Sequence, residues 1–198
     1  MTAPNSERKD DPFTALLAAA RSTGYPPVER WNPPYCGEIA IRIASDGTWY
    51  HEGRPIRRPE LVKLFSRVLR RDEDGHTYLV TPVEKMRITV EDAPLHVAQM
   101  EVAGAGRAQR ILMRTLTDDV FPLDAEHPLR LRPSAAHDGE LRPYVRVRGR
   151  LHAVLLRPVY YELARHLVED RDETGRRAWG VWSAGCFFPL HPLEEDGA

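Results

Sequence analysis

Glu84, Lys85 and Arg87 crowd the start of the string "EKMRITVEDAP", with Glu91 and Asp92 close behind. A carboxylate beside two cations suits charge-assisted hydrogen bonding to an anionic or zwitterionic ligand. It also suits a general base, Glu84, beside an anion clamp, Arg87. The same residues fit a solvated hairpin whose ion pairs are worth at most about 1 kcal/mol. Upstream, Trp49, Tyr50 and His51 follow Trp31 and Tyr35, the composition of an aromatic pocket for a small ligand. Strand alternation sends Trp49 and His51 to one face and Tyr50 to the other, so at least one ring belongs to a core. The candidate ligand-binding set is Trp49, Tyr50, His51, Glu84, Lys85 and Arg87, with no residue singled out as catalytic.

Other constellations carry weaker chemistry. Arg146, Arg148 and Arg150 alternate along a strand and, with Arg130, Arg132 and Arg142, make the one plausible basic patch. Such a face suits phosphate contacts or plain solvation. No helix-turn-helix, aromatic RNA platform or glycine-rich phosphate loop accompanies it, so nucleic acid is not an expected partner. Cys186 as a nucleophile needs a base such as His152 or His166 and a third residue to orient it; an inert thiol is the simpler reading. The remaining histidines, among them His76, His96, His127, His137 and His191, lack metal-ligand spacing, and no metal or cofactor is expected. Tyr144, Tyr160, Tyr161, Trp179, Trp182, Phe187 and Phe188 load the second half with rings, either as core or as the face of a homodimer.

The totals bound what these groups can do. A chain of 198 residues with 42% hydrophobic and 29% charged residues folds around a core as one domain or two small ones. A formal net charge of −1 provides no global field for nucleic acid or an anionic membrane. Two cysteines without a CxxC partner suit a reducing cytoplasm. The first residues, "MTAPNSERKDDPFTALLAAARS", lack a signal-peptide pattern, and no run approaches the ~20 apolar residues of a membrane span. A cytoplasmic protein with no membrane partner is expected.

The elements that position these groups follow from period and punctuation. Asp11-Pro12 opens a helix over "FTALLAAARS" that Gly24 ends. Ile39, Ile41 and Ile43 alternate as a half-buried strand, and Asp46-Gly47 turns the chain into a second one. From Pro59, Leu61, Leu64, Phe65, Val68 and Leu69 form a helical stripe, with Arg67, Arg70 and Arg71 placed to complement its C-terminus. "TYLVTPVEKMRITVED" reads as two strands with Pro82 breaking the first. Further strands are expected in "LHVAQMEVAG", "AQRILMRTLT", "LRLRPSA" and on both sides of Gly149. A second helix starts at Pro158 with a stripe of Tyr160, Tyr161, Ala164, Leu167 and Val168, and "RRAWGVWSAGCFFPL" gives a last strand pair.

An internal repeat organises the whole. "WYHEGRPIRRPELVKLFSRVLRRDEDGHTYLVTPVEKMRI" and "YVRVRGRLHAVLLRPVYYELARHLVEDRDETGRRAWGVWSAGCFF" share strand, glycine turn, strand, proline-started helix, acidic turn with glycine, and strand pair. Gly53 matches Gly149, Pro59 matches Pro158, Leu64 matches Leu163, and Gly75 matches Gly175. The second copy has Gly185 and Cys186 where the first has Glu84 and Lys85, which suits either a site grafted on one half or a free turn.

The strings "WNPPYCGEI", "DGTWYHEGRPI", "TYLVTPVEKMRITVEDAP", "HPLRL", "PYVRVRGRL" and "GVWSAGCFF" resemble the bacterial family known as domain of unknown function 1285, from about Trp31 to about Leu190. The resemblance implies a duplicated α+β arrangement in two halves and brings no established activity; regulatory, signalling and small-molecule-binding roles are its priors. Where that family often has a second acidic residue after Cys-Gly, this chain has Ala40, so Glu38 lacks a carboxylate partner two residues on. The expected fold is α+β, two repeated halves each with a curved antiparallel sheet and one helix, preceded by an N-terminal helix. The expected divisions are 1–24 (tail and helix), 25–100 (first αβ repeat domain) and 101–198 (second). A non-enzymatic small-molecule-binding or regulatory module with its site where the halves meet is the leading expectation. An enzyme acting on a small anionic metabolite and an obligate homodimer are the alternatives.

Overall fold

The alternation of "EIAIRI" is carried by strand β1 (Tyr35–Ile43), in which Ile41 and Ile43 are buried and Arg42 is half-exposed. Asp46 accepts the Thr48 amide at 2.8 Å and Gly47 takes a positive φ, and this turn lays β2 (Trp49–His51) antiparallel to β1. A short β3 (Arg54–Pro55) extends the hairpin around Gly53. Pro59 then fixes the first turn of helix α1 (Pro59–Arg67), with Glu60 in its first turn and Arg67 in its last, each on the favourable side of the macrodipole. Strands β4 (Leu69–Arg71), β5 (Thr77–Val80) and β6 (Lys85–Val90) form a meander, and β6 returns beside β1. The computed structural model describes residues 25–193. The helix expected over the first 24 residues lies outside them.

The second half opens with β7 (Leu95–Ala103), β8 (Arg110–Thr115) and β9 (Val120–Pro122), and continues with β10 (Leu129–Pro133), β11 (Leu141–Arg148) and β12 (Leu151–Leu155). Helix α2 (Arg157–Ala164) follows, then β13 (Val168–Arg171), β14 (Arg177–Ser183) and β15 (Cys186–Pro192). The fold is α+β. One six-stranded sheet has the order β3-β2-β1-β6-β5-β4, a second has β10-β11-β12-β7-β8-β9, and β13-β14-β15 make a small third sheet.

Both large sheets are mixed, which corrects the antiparallel expectation. β1 runs parallel to β6, and β12 runs parallel to β7. Each parallel pair joins strands far apart in the chain, with α1 within the first crossover, and a local strand pattern carries no trace of such pairing. The helical stripes also end earlier than their periodicity implies. Leu69, Arg70 and Arg71 pair with Leu79, Tyr78 and Thr77 as β4, and Val168 belongs to β13. In α2 the buried face is Val159 and Leu163, while Tyr161 is 65% exposed. Cross-strand pairing overrides the helical period in both places.

The repeat is visible in the order of elements: β2-β3-α1-β4-β5-β6 against β11-β12-α2-β13-β14-β15. Its turns match closely. The Gly75 amide donates to Asp72 O at 3.1 Å and the Gly175 amide to Asp172 O at 2.9 Å. The two copies differ in assembly, because β1 stitches hairpin to meander in the first, whereas the second meander stands as its own sheet.

One continuous apolar cluster takes Ile41, Phe65 and Leu79 from the first half, Ile111, Leu155 and Leu163 from the second, and Val181 and Phe188 from the third sheet. Burying a side chain such as Phe65 stabilises by about 1.5–3 kcal/mol, so this shared cluster ties the halves together. A polar joint adds to it. Arg148 on β11 donates to the Ser66 carbonyl of α1 at 2.6 Å and pairs with Asp119, which also accepts Tyr25 OH at 2.7 Å. Among the described residues no helix is long and apolar enough to cross a membrane.

Candidate functional site

Thr81-Pro82-Val83-Glu84 is the β5–β6 turn. Thr81 Oγ1 accepts the amides of Val83 and Glu84 at 3.3 and 3.1 Å, and the Thr81 amide donates to Glu84 O at 2.9 Å. Glu84 Oε1 is buried there with no hydrogen-bond partner among the described residues, and burial pushes its carboxyl pKa up. Lys85 heads β6 and its ammonium reaches Asp72 at 2.8 Å, over the Tyr78 ring at 4.5 Å. Burial alone would raise the Asp72 pKa, but the donors on Arg70 and Lys85 more than offset it and hold the group low. Arg70, only 8% exposed, grips Asp72 and also donates to the carbonyls of Val28 and Trp31 at 2.8 and 2.7 Å. Arg87 pairs with Glu38, its register partner on β1. Glu91 pairs with Arg42.

The aromatic candidates divide as alternation requires. Trp49 is 3% exposed and stacks on Phe65 at 6.3 Å, within the core. His51 shares that face, and Tyr50 lies on the other under the Arg42 guanidinium at 4.0 Å. Tyr50, Lys85 and Arg87 therefore share the outer face of the first sheet, but Arg42 stands between, opposite both Tyr50 and Thr89. The six candidates are spread over two faces and a turn rather than gathered around one cavity.

A second location gathers groups from both halves. A cleft of about 520 Å³ is lined by Arg71, Asp72, Glu73 and Gly75 of the β4–β5 hairpin and by Arg132, Arg146, Gly149, Arg150 and His152 of the second sheet. Arg150 pairs with Glu73 at 2.5 Å across it, and Asp72 is already held by Arg70 and Lys85. Among the described residues Arg71, Arg132 and Arg146 form no ion pair with a carboxylate. His152 lies in their midst, opposite Arg146 in the β11–β12 register. Its Nδ1 faces the Arg150 carbonyl at 3.0 Å and its Nε2 faces Arg132 at 3.2 Å. Burial, then Arg132 with Arg71 and Arg146, pushes the imidazole pKa down, against the opposing carbonyl bond from Arg150.

Strand alternation predicts Arg146, Arg148 and Arg150 on one face. A register shift between Arg146 and Arg148 separates their roles: Arg148 enters the polar joint, Arg150 crosses to Glu73, and Arg146 lines the cleft. The helical stripe predicts Arg71 at a helix end; its place on β4 brings it here instead.

The structure also assembles Asp92, Ser134 and His137, which sequence reading left unconnected. Ser134 Oγ donates to Asp92 at 3.0 Å and faces His137 Nδ1 at 3.0 Å. The hydroxyl sits between acid and imidazole, and Ser134 is 1% exposed, so the order is wrong for a nucleophile activated by histidine. Tyr144 OH donates to the same carboxylate at 2.5 Å, and burial with this bond pushes its pKa up to about 12. The cluster fastens the segment after β6 to the β10–β11 loop. Cys36 and Cys186 are free thiols. Among the described residues no group of three or more His, Cys, Asp or Glu side chains is arranged to hold a metal ion.

Family models match two adjoining stretches: the N-terminal domain of a domain of unknown function (DUF1285) over residues 26–93, and the C-terminal domain of the DUF1285 protein of unknown function over residues 94–190. A crystal structure of a DUF1285 family protein from Silicibacter pomeroyi DSS-3 is 44% identical, with a TM-score of 0.80 over 90% of this chain and 95% of that one. One from Shewanella baltica OS155 is 25% identical, with a TM-score of 0.51 over 64% of this chain and 91% of that one. No curated protein matches the chain. With both domains matched in order and a 44% identical relative superposing over nearly its full length, this chain belongs to the DUF1285 family.

Proposed function

We propose that the protein is a non-enzymatic binding module, regulatory in role, that holds a small anionic molecule in the cleft between its halves. The observation that carries this is the meeting of Arg71 from one half with Arg132 and Arg146 from the other around one cleft, without a carboxylate partner among the described residues. Guanidinium forks present paired donors to oxyanions. A ligand there touches both halves, which suits a signal passed as a change in how they are joined. A reducing cytoplasm is the setting that the two free thiols suit.

The enzymatic alternative has less support. Among the described residues Glu84 has no titratable partner on its buried oxygen, and Arg87 is engaged by Glu38, so the base and the clamp do not act on a shared space. A homodimer is the second reading, favoured by Tyr161 and by Trp179, 41% exposed, on the second half; sedimentation at rising concentration decides it.

The test is thermal unfolding with phosphate, sulfate and small dicarboxylates. At a hundredfold excess over Kd a bound anion adds about 2.7 kcal/mol, a Tm rise of about 5–10 °C for a chain of this size. The expected outcome is a rise in the native protein that is lost in the Arg71→Ala/Arg146→Ala double variant. Equal rises in both would remove the cleft from the account.

A further inference from the structure

The neighbours of His152 favour one tautomer. The Arg150 carbonyl, 3.0 Å from Nδ1, only accepts, so Nδ1 carries a hydrogen. The Arg132 guanidinium, 3.2 Å from Nε2, only donates, so Nε2 offers its lone pair. This pair of contacts suits a neutral imidazole among cations. The other charged groups around it are Arg71, Asp72 and Glu73 from the β4–β5 hairpin, Arg132 from β10, Arg146 and Arg150 from β11 and its turn, and Glu29 against Gly149. Asp72 and Glu73 are paired with Arg70, Lys85 and Arg150, which leaves Arg71, Arg132 and Arg146 as the charges without a carboxylate partner among the described residues.

A monoanion leaves most of that positive charge unbalanced, whereas a tetrahedral dianion presents three terminal oxygens to three guanidinium forks. Arg132 spends one of its five donors on Nε2, and an anion that draws the guanidinium fork toward itself takes that donor from the nitrogen. That nitrogen is then left beside negative oxygens, where a proton is favoured. We infer that the cleft binds a phosphate dianion, free or as the end group of a small ester, and that binding places a proton on His152 Nε2. The proton comes from solvent, and the new N–H donates to a phosphate oxygen. Affinity for the dianion itself consequently rises as pH falls, while phosphate is also converted to the monoanion over the same range. This rests on the anion-binding reading above.

Sulfate is the probe, because its charge is constant across the range where histidine titrates. Its affinity for the native protein is measured by calorimetry from about pH 8 to about pH 6, either side of the ordinary histidine value. The histidine ring signals are followed by NMR with and without sulfate. The expected result is an affinity that rises up to about tenfold per pH unit, a His152 titration moved to higher pH by sulfate, and a flat profile in His152→Gln. Inorganic phosphate and glycerol phosphate then compete with sulfate, and a tighter grip on either assigns the free anion or the ester. Sulfate binding that is independent of pH, with His152 unmoved, overturns the proton coupling while the binding reading stands. Absence of sulfate binding throughout overturns both.

Discussion

Asp119 is the group whose loss most strains the joint between the halves. Its carboxylate accepts Thr115 Oγ1 at 2.9 Å, Thr117 Oγ1 at 2.8 Å, Tyr25 OH at 2.7 Å and the Arg148 guanidinium, and its side chain is 5% exposed. Asp119→Asn keeps the shape, removes the charge facing Arg148, and turns one acceptor into a donor aimed at other donors. Removing one partner of a buried ion pair costs about 3–5 kcal/mol. Arg148 is 21% exposed and keeps the Ser66 carbonyl and the Tyr25 ring, so the loss here is smaller, about 2–3 kcal/mol. For a chain of this length that lowers Tm by about 4–12 °C. Chemical unfolding followed by tryptophan fluorescence measures it, since Trp49 and Trp182 report on separate sheets. Because one core spans both halves, both signals should move in a single transition. Adding Arg148→Met to Asp119→Asn should recover about 1–3 kcal/mol relative to the sum of the single changes. A loss under about 0.5 kcal/mol, the range of exposed pairs, would refute the joint as a stabilising contact.

Other outcomes follow from single features. Phe65→Ala removes a fully buried ring stacked on Trp49 and should cost about 3–5 kcal/mol in the same assay. At Gly180 an added Cβ would lie 2.6 Å from the Phe187 ring and closer still to the Phe188 carbonyl, so Gly180→Ala should lower Tm by several degrees. His96 is buried with Nε2 at the Ser45 carbonyl, 3.1 Å away, and burial pushes its pKa down. The unfolded chain then binds the extra proton first, so stability should fall as pH drops below about 6.5, and His96→Gln should flatten that slope. Tyr144, held protonated up to about 12, binds its proton more tightly when folded, so stability should decline between about pH 10 and 12, less steeply in Tyr144→Phe.

Features set by neighbouring residues were legible in the sequence. The alternation of Ile41 and Ile43, the Asp46-Gly47 turn, the hairpin at Gly149 and the proline-started helices all reflect local geometry, and the repeat emerged from the spacing of the same punctuation. What escaped depends on distant partners. β4 and β13 are strands because Leu79 and Trp179 pair beside them, not because Leu69 or Glu169 prefers to be extended. The cleft escapes for the same reason: Arg71 and Arg146 are far apart in the chain, and local pattern places one at a helix end and the other on a strand face that suits either phosphate contacts or solvation. The β5–β6 turn stood out for its charges, yet Lys85 and Arg87 are matched by Asp72 and Glu38.

The anion cleft is tested most directly by diffraction from a crystal soaked in selenate, whose anomalous signal marks its position without interpretation. A peak within hydrogen-bond reach of Arg71, Arg132 and Arg146, absent from the Arg71→Ala/Arg146→Ala variant, is the predicted result. Selenate bound elsewhere, with the cleft empty at saturating soak, would contradict it.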